Sequence, residues 1–317
     1  MNQPRRDLLD RQMGRQIRPS LDRVVEMTDR CVNYGTHLIV KCDRAAGQRQ
    51  VVGAVMLGLH VVEVLDAISV LIRKCCVDPA KTLLRSQMEA MFGIAYMAQA
   101  DSERRATQYV VAHAHWRIDW YKKLDPAVEI GKKLRAQLKK DSTFHELDIV
   151  ALDTTGNIQN LETMLARPEY SIVEADWQRL RQQKSGQIWW YSLNGGPRNI
   201  GELAAAVGDS GWYEVLFRLY SGEIHATNAL SSLHRSHDKG GAYQPLRYPT
   251  DLPMVTMNAV SMTLRTYRSL IDMLIPAERD EYAKWFAKEI KPTYNELAQF
   301  KIVDPSRPSK TPPRRSS

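Results

Sequence analysis

The sequence lacks the short motifs that mark the common enzyme superfamilies. It has no GxxxxGK[ST] phosphate loop, no GxGxxG fingerprint, no GxSxG nucleophile elbow and no HExxH zinc helix. P-loop NTPases, dinucleotide-binding enzymes, α/β-hydrolases and zinc proteases are therefore unsupported. The paired Glu-x-x-His motifs of di-metal bundles are missing as well. The sequence thus predicts no metal site and no bound cofactor.

Cysteine is scarce, with four residues in a chain of 317. They are Cys31, Cys42, Cys75 and Cys76, and none stands in a CxxC pair. A disulfide framework or a thiolate zinc site is therefore disfavoured. The N-terminus has no apolar signal region and the chain has no N-x-[ST] acceptor, so we expect reduced thiols in a cytoplasmic protein.

Long hydrophobic runs free of polar groups are absent. The best candidate for a membrane span, residues 51–72, carries His60, Glu63 and Asp66 in its middle. Each of these side chains costs a few kcal/mol in the hydrocarbon of a bilayer. We therefore expect a buried helix of a bundle, and no membrane partner.

Positive charge in excess of negative charge is scarce outside the two ends of the chain. The net charge is +8, of which residues 1–20 contribute +3 and residues 303–317 another +3, leaving +2 for the rest. Because neutralisation of phosphates supplies most non-specific affinity for nucleic acid, this distribution predicts basic ends rather than a basic domain.

What is present is helical periodicity along most of the chain. Helices are predicted from Ser20 onward and over 49–74, 78–100, 102–124, from 126, then 156–166, 173–184, 200–207, 210–237, 252–274 and 277–299. The short joints between long segments indicate an antiparallel multi-helix bundle with few or no strands. We predict one all-α domain over 20–300 with an irregular aromatic loop at 185–199. A basic segment at 1–19 and a disordered Pro/Arg-rich tail at 301–317 flank it.

The predicted helix at 210–237 carries a polar stripe with spacings of four and three residues. Its members are Glu214, Arg218, Ser221, His225, Asn228 and Ser232. This spacing places them on one helix face. Arg218 could hold a phosphate there while His225 moves a proton. The stripe is the solvated side of an amphipathic helix, such a cleft or, as the least favoured alternative, a metal site.

A second polar row interrupts the most apolar helix, at His60, Glu63 and Asp66. Buried carboxylates need partners, and the next helix offers Arg85 and Glu89 one turn apart in an apolar run. We expect an internal Arg–carboxylate network between the two helices. It is either purely structural or the wall of the cleft that holds His225.

The aromatic run at 189–191, followed by NGGPRN, has two interpretations. Aromatic side chains of this kind often anchor a long loop onto a bundle, which is the prediction we adopt here. They could instead stack on nucleic-acid bases beside Arg198.

Three runs resemble a bacterial all-helical family described as domain of unknown function 5677. They are LLRSQMEAMFGIAYM at 83–97, IWWYSLNGGPRNIGELAAAVG at 188–208 and YEVLFRLYSGEIHATNAL at 213–230. The family pattern falls here on Arg85 and Glu89, on Trp190, Ile200 and Leu203, and on Tyr213, Ser221 and His225. The resemblance extends over roughly residues 50–270.

The arrangement also resembles the HEPN superfamily, whose ribonuclease members carry an Arg and a His a few residues apart on one helix. The resemblance implies that Arg218 and His225 are the catalytic pair. Such proteins commonly dimerise, cleave RNA without a metal and occur in toxin–antitoxin and phage-defence loci. Leu219 stands where a polar residue usually follows the Arg, and Gly222 lies between the pair. A member that binds without cleaving is therefore also allowed.

The sequence supports two hypotheses. In the first, the protein is a metal-independent ribonuclease or toxin: His225 deprotonates the ribose 2′-OH, Arg218 stabilises the charged phosphorane, and Ser221 or Tyr220 assists. The expected cleft or supporting residues are Arg85, Glu89, Glu63, His60, Glu214 and Asn228. In the second, it is a non-catalytic helical sensor or adaptor that binds a nucleotide or a protein partner from a defence operon. Either form is expected to be a homodimer, with RNA as the ligand of the first and a nucleotide or a protein partner as the ligand of the second.

Overall fold

The computed structural model describes residues 4–5, 8–47, 50–144, 154–183, 186–224, 230, 233–236 and 240–297. Within them the chain is an all-α multi-helix bundle, which confirms the predicted fold class. The α-helices are α1 (Met13–Gln16), α2 (Arg18–Ala46), α3 (Val52–Arg73), α4 (Val77–Gln99), α5 (Ser102–Leu124), α6 (Glu129–Leu138), α7 (Thr155–Leu165), α8 (Ser171–Gln183), α9 (Ile200–Ala206), α10 (Ser210–Trp212), α11 (Arg218–Ile224), α12 (Leu252–Leu274), α13 (Arg279–Trp285) and α14 (Lys291–Leu297).

Four long helices, α2, α3, α4 and α12, pack against one another and enclose the main core. Only residues 74–76 join α3 to α4, and only residues 100–101 join α4 to α5, so that successive helices run antiparallel. Fully buried Leu65, Ile68 and Met88 are typical of this core. Each buried side chain of this size contributes about 1.5–3 kcal/mol.

Helix α3 is the described helix that is long and apolar enough to cross a membrane, by length and composition only. Core helices of soluble proteins pass the same test, and 56% of its most apolar window is buried here. Its partners are α2, α4, α5 and α12. The prediction that the polar row on this helix is internal is wrong for Glu63 and Asp66, which both lie on its exposed side.

A second layer forms on the far side of α5, where α6, α7 and α8 pack against it. Its core joins Val111 and Ile118 of α5 to Val173 and Trp177 of α8. Helix α5 therefore stands between the main core and this smaller layer. Each helix boundary that the sequence predicts between residues 20 and 207 lies within three residues of the observed one. Helix α1, inside the predicted basic N-terminal segment, was not predicted.

The aromatic segment between α8 and α9 is irregular, as expected, with a short 3₁₀ turn at Trp190–Gly195. Tyr191 and Leu193 are buried, whereas Trp189 is exposed. Asn194 and Gly195 both have left-handed backbone conformations, with φ of 55° and 71°, which Asn and Gly tolerate best. The segment is thus anchored on the bundle by part of its aromatic run, as predicted.

The helix predicted over 210–237 is interrupted. After α10, residues Tyr213–Phe217 form a π-helical turn that leads into α11. The last described residue of α11 is Ile224. Residues Leu233–Ser236 are a strand, β1, paired antiparallel with β2 (Gly240–Tyr243). The prediction of a helix to residue 237 is therefore wrong, because residues 233–236 form a strand instead.

The two ends of the chain differ in what is described. Met13 of the predicted N-terminal segment is buried in the main core, and the backbone N–H of Leu246 donates to the carbonyl of Leu8 at 2.8 Å. This basic segment is therefore packed on the bundle in part. The predicted disordered tail, residues 301–317, lies outside the described residues.

Candidate functional site

A cleft of about 350 Å³ opens between α3, α4, α5 and the aromatic segment. We call it the central cleft. Its lining combines a guanidinium, a carboxylate, an imidazole and several aromatic rings. The residues are Leu57, His60, Arg85, Ser86, Glu89, Ala90, Tyr109, Trp189, Trp190, Tyr191, Asn199 and Ile200.

Arg85 and Glu89 form the charged side of the central cleft. They lie one turn apart on α4, with Nε of Arg85 3.3 Å from Oε1 of Glu89. Only 23% of the Arg85 side chain is exposed, and its guanidinium carbon lies 4.6 Å from the ring centroid of Phe217. This places the guanidinium on an aromatic face, where a cation is attracted by the ring.

One hydrogen-bond donor of this pair has no partner in the part of the chain that the structure describes. Nε of Arg85 is buried without a hydrogen-bond partner among the described residues. Burial raises the pKa of Glu89 above its usual value, and the attraction of Arg85 offsets only part of that rise. Arg85 and Glu89 thus bring a guanidinium and a carboxyl group together at a site that is partly shielded from water.

His60 lies across the central cleft on α3 and contacts Ser86 of α4. Nε2 of His60 and Oγ of Ser86 are 2.9 Å apart, within hydrogen-bond distance. Glu63 is 3.9 Å from Nδ1 of His60, and 68% of its side chain is exposed. The carboxylate therefore makes no hydrogen bond to the imidazole and belongs to the surface rather than to an internal network.

Trp190 forms the aromatic wall of the central cleft. A Cβ on Gly93 of α4 would lie 3.1 Å from Cζ2 of Trp190, which shows how closely the indole approaches this helix. Tyr109 of α5 meets Trp190 edge-on, with ring centroids 5.7 Å apart. Burial, together with the charge of Glu89, raises the pKa of Tyr191. Its phenol is therefore protonated at neutral pH and can donate a hydrogen bond.

The start of α9 closes one end of the central cleft. Oδ1 of Asn199 accepts a hydrogen bond from the backbone N–H of Glu202 at 2.9 Å, so that Asn199 is the N-cap of α9. Next to it, a Cβ on Gly201 would lie 3.0 Å from the ring of Tyr213. The π-helical turn that contains Tyr213 and Phe217 therefore supports both α9 and Arg85.

The polar stripe of the helix at 210–224 points away from the core. Nη1 of Arg218 donates to Oε2 of Glu214 at 2.9 Å, and 66% of the Arg218 side chain is exposed. The hydroxyl of Ser221 donates to the carbonyl of Phe217 at 2.7 Å. Tyr220 is buried, and its hydroxyl accepts a hydrogen bond from Nδ2 of Asn258 at 2.8 Å.

His225, Asn228 and Ser232, which complete the predicted stripe, lie outside the described residues. The described part of the stripe is solvent-facing, and the apolar side chains of Val215 and Leu219 are exposed beside it. Of the predicted site residues, the structure brings together His60, Arg85 and Glu89 in the central cleft. It places Glu214, Arg218 and Ser221 on a different surface.

Sequence reasoning missed most of the other cleft residues as site components. Ser86 lies between Arg85 and Glu89 in the sequence of α4. Its position next to Arg85 is the sequence signal that could have identified it as a cleft residue. No sequence signal marks Tyr109 as a cleft residue, because one tyrosine in an amphipathic helix is indistinguishable from an ordinary packing residue. In the part of the chain that the structure describes, no three His, Cys, Asp or Glu side chains form a group that could hold a metal ion.

These features define a helical-bundle protein with a mixed polar and aromatic cleft at its centre. A family model described as a family of unknown function, DUF5677, matches residues 53–242. The match covers more than half of the chain, and the chain therefore belongs to this family. No curated protein and no solved structure matches the chain.

Proposed function

We propose that the protein is a nucleotide-binding helical sensor or adaptor and that the central cleft recognises one nucleotide unit. The observation that supports this most is Arg85. A guanidinium carries five N–H donors, and the Glu89 contact through Nε can occupy no more than one of them. The remaining donors suit a phosphate, which Arg binds in bidentate fashion.

The other walls of the cleft suit the base and the sugar. Trp190 and Tyr109 offer aromatic surface for a heterocycle, and the hydroxyl of Tyr191 offers a donor. Glu89 and Asn199 supply acceptors for ring N–H groups or ribose hydroxyls. The volume of about 350 Å³ lies at the lower end of the range of about 300–1,000 Å³ for small-molecule sites.

The test is titration of the purified protein with AMP, GMP, CMP, UMP and inorganic phosphate in a calorimeter. Arg85→Met retains the aliphatic stem and removes the charge. Loss of a charged hydrogen bond costs about 1.5–3 kcal/mol, so affinity should fall roughly 10- to 150-fold.

The matched control for Arg85→Met is Arg18→Met. Nε of Arg18 lies 3.3 Å from the carboxylate of Asp22 one turn on in α2, as Nε of Arg85 does from Glu89 in α4, but Arg18 does not line the cleft. It should leave the affinity unchanged. Absence of binding by every nucleotide, or equal affinity of wild type and Arg85→Met, would overturn the proposal.

A metal-independent ribonuclease of HEPN-like type is the second candidate. The observation in its favour is the accessibility of Arg218, whose exposed side chain stands on a helix that contacts α4. Cleavage would use His225 as the base and Arg218 for the phosphorane charge. With the hydroxyl of Tyr220 bonded to Asn258 and that of Ser221 to Phe217, these two side chains would orient the helix.

Incubation of RNA with the protein in EDTA separates the two candidates. If RNA is cleaved and both Arg218→Ala and His225→Ala abolish cleavage, the protein is a ribonuclease. RNA that stays intact in all samples, together with nucleotide binding that depends on Arg85, supports the sensor. Induction of the same variants in bacteria gives a parallel readout, because only a ribonuclease should be toxic through His225.

The wider context is part of the proposal. We place the protein in the cytoplasm of a bacterium, as a homodimer in a defence or toxin–antitoxin locus with a protein partner from the same operon. Light scattering of the purified chain tests the dimer. Co-purification of a tagged chain with the products of adjacent genes tests the partner.

A further inference from the structure

A second groove, of about 520 Å³, lies on the other side of the aromatic wall. We call it the tryptophan groove. It is lined by α5, by Arg181 of α8 and by residues 186–190. Tyr109, Trp189 and Trp190 line both the tryptophan groove and the central cleft, so the two adjoin on opposite sides of this wall.

Three tryptophans on this surface are exposed, which is unusual for so large an apolar side chain. Trp116 is 55% exposed, Trp120 44% and Trp189 41%. Trp116 and Trp120 stand one turn apart on α5 with ring centroids 6.2 Å apart, and His113 stacks on Trp116. Burial and the nearby charge of Arg117 lower the pKa of His113, which is therefore a neutral ring at pH 7.

Positive charge accompanies these rings. Nζ of Lys123 lies 4.8 Å from the ring centroid of Trp120, and Arg181 lines the same groove beside Asp119, its ion-pair partner at 3.4 Å. Residues 117–141, the end of α5 with α6, hold eight Lys and Arg against four Asp and Glu. This stretch therefore has a net charge of +4, twice that of the whole chain between its two basic ends.

We propose that the tryptophan groove binds single-stranded nucleic acid, with unpaired bases stacked on Trp116 and Trp120 and the backbone held by Lys123, Arg181 and α6. Exposed aromatic faces with adjacent cations are the combination by which proteins bind single strands without sequence preference. A duplex hides the faces of its bases and does not fit. The inference rests on the proposed function and extends it. The nucleotide that the central cleft recognises is then one unit of the single strand bound in the tryptophan groove.

The experiment is fluorescence anisotropy of labelled oligouridylate and oligothymidylate of about eight nucleotides, with the full chain. Stacking contributes about 1–3 kcal/mol per base, so Trp116→Ala and Trp120→Ala should each weaken binding roughly 5- to 150-fold. Trp116→Phe and Trp120→Phe keep an aromatic face and should restore most of the affinity. Phe144→Ala removes another exposed aromatic residue outside the groove, as the control.

Salt dependence supplies an independent readout. Lys123→Ala should make the dependence of log Kd on log salt shallower by about 0.7 if Lys123 contacts one phosphate of a single strand. Tighter binding of uridylate than thymidylate identifies RNA as the natural strand, and the reverse order identifies DNA. Affinity that is unchanged by both tryptophan-to-alanine variants would overturn the inference.

Two outcomes separate this inference from the proposed function. If Arg85→Met has no effect on the nucleotide or the strand while the tryptophan variants weaken strand binding, the groove stands and the nucleotide cleft fails. If the tryptophan variants instead convert a dimer to a monomer in light scattering and strand binding is absent, the groove is a contact between two copies of the chain and the inference is wrong.

Discussion

The substitution Gly53→Ala tests the contact that holds α5 against α3. A Cβ at Gly53 would lie 2.5 Å from the backbone oxygen of Ala106 and 3.3 Å from Cδ1 of Tyr109. Ordinary contacts of this kind are about 3.4–4 Å, so the two helices must separate by most of an ångström. Because the nearest atom belongs to the backbone of α5, no rotamer change can relieve the clash.

Overpacking of this kind costs about 1–3 kcal/mol. The gain in helix propensity from Gly to Ala is at most about 1 kcal/mol and smaller near a helix start. We therefore expect Gly53→Ala to lower Tm by roughly 1–4 °C, measured by differential scanning fluorimetry and by urea unfolding. It should also weaken nucleotide binding, since Tyr109 lines both the central cleft and the tryptophan groove.

Gly156→Ala is the matched control for this substitution. Gly53 and Gly156 are both the second residue of their helices, α3 and α7, and neither has a positive φ. A Cβ at Gly156 meets nothing within 4 Å. The control should therefore leave Tm unchanged or raise it slightly. Equal Tm values for the two variants would refute the close helix approach on which this prediction depends.

Two further predictions concern titratable groups. Because the pKa of Glu89 is raised in the folded state, the native carboxyl binds its proton more tightly than the unfolded one, and its contribution to stability falls as pH rises above about 4. The unfolding free energy of Glu89→Gln relative to wild type should therefore increase between about pH 4 and pH 7; a constant or decreasing difference would contradict the raised pKa. Among the cysteines, Cys76 alone is partly exposed, and burial raises the pKa values of Cys42 and Cys75 to about 11. One thiol should thus react rapidly with a disulfide reagent in the native protein and four after denaturation, whereas several fast native thiols would refute the packing around them.

The helices could be predicted because their signals are local. Asp101 before Ser102 and Asn199 before Ile200 mark helix starts, and the 3.6-residue period of apolar side chains marks each buried face. The interruption at 213–217 could not be predicted in this way. A π-helical turn holds one more residue than an α-helical turn, and therefore rotates the residues after it relative to the pattern of a uniform helix. Leu219, which follows this turn, is exposed beside Arg218, in agreement with such a rotation.

Only part of the central cleft was predicted, and the reason differs from that for the interrupted helix. Its charged side came from two residues one turn apart on α4, which a sequence reveals. The aromatic wall depends on the approach of Trp190 to Gly93, almost a hundred residues earlier, and no local pattern reports such a contact. Glu63 was assigned to the interior because α3 is so apolar, yet even a central helix keeps one side open to solvent.

The placement of the family-like motifs provides the strongest reason to look for function at the central cleft. Arg85 and Glu89 come from one motif and Trp190 and Ile200 from another, and all four line the same cleft. The third motif reaches it indirectly, since Phe217 lies under the Arg85 guanidinium and Tyr213 packs against Gly201. The match at 53–242 includes these elements but omits α2 and α12, which complete the main core. The matched region therefore contains the cleft and its supports rather than a whole core, as expected if the cleft carries the shared function.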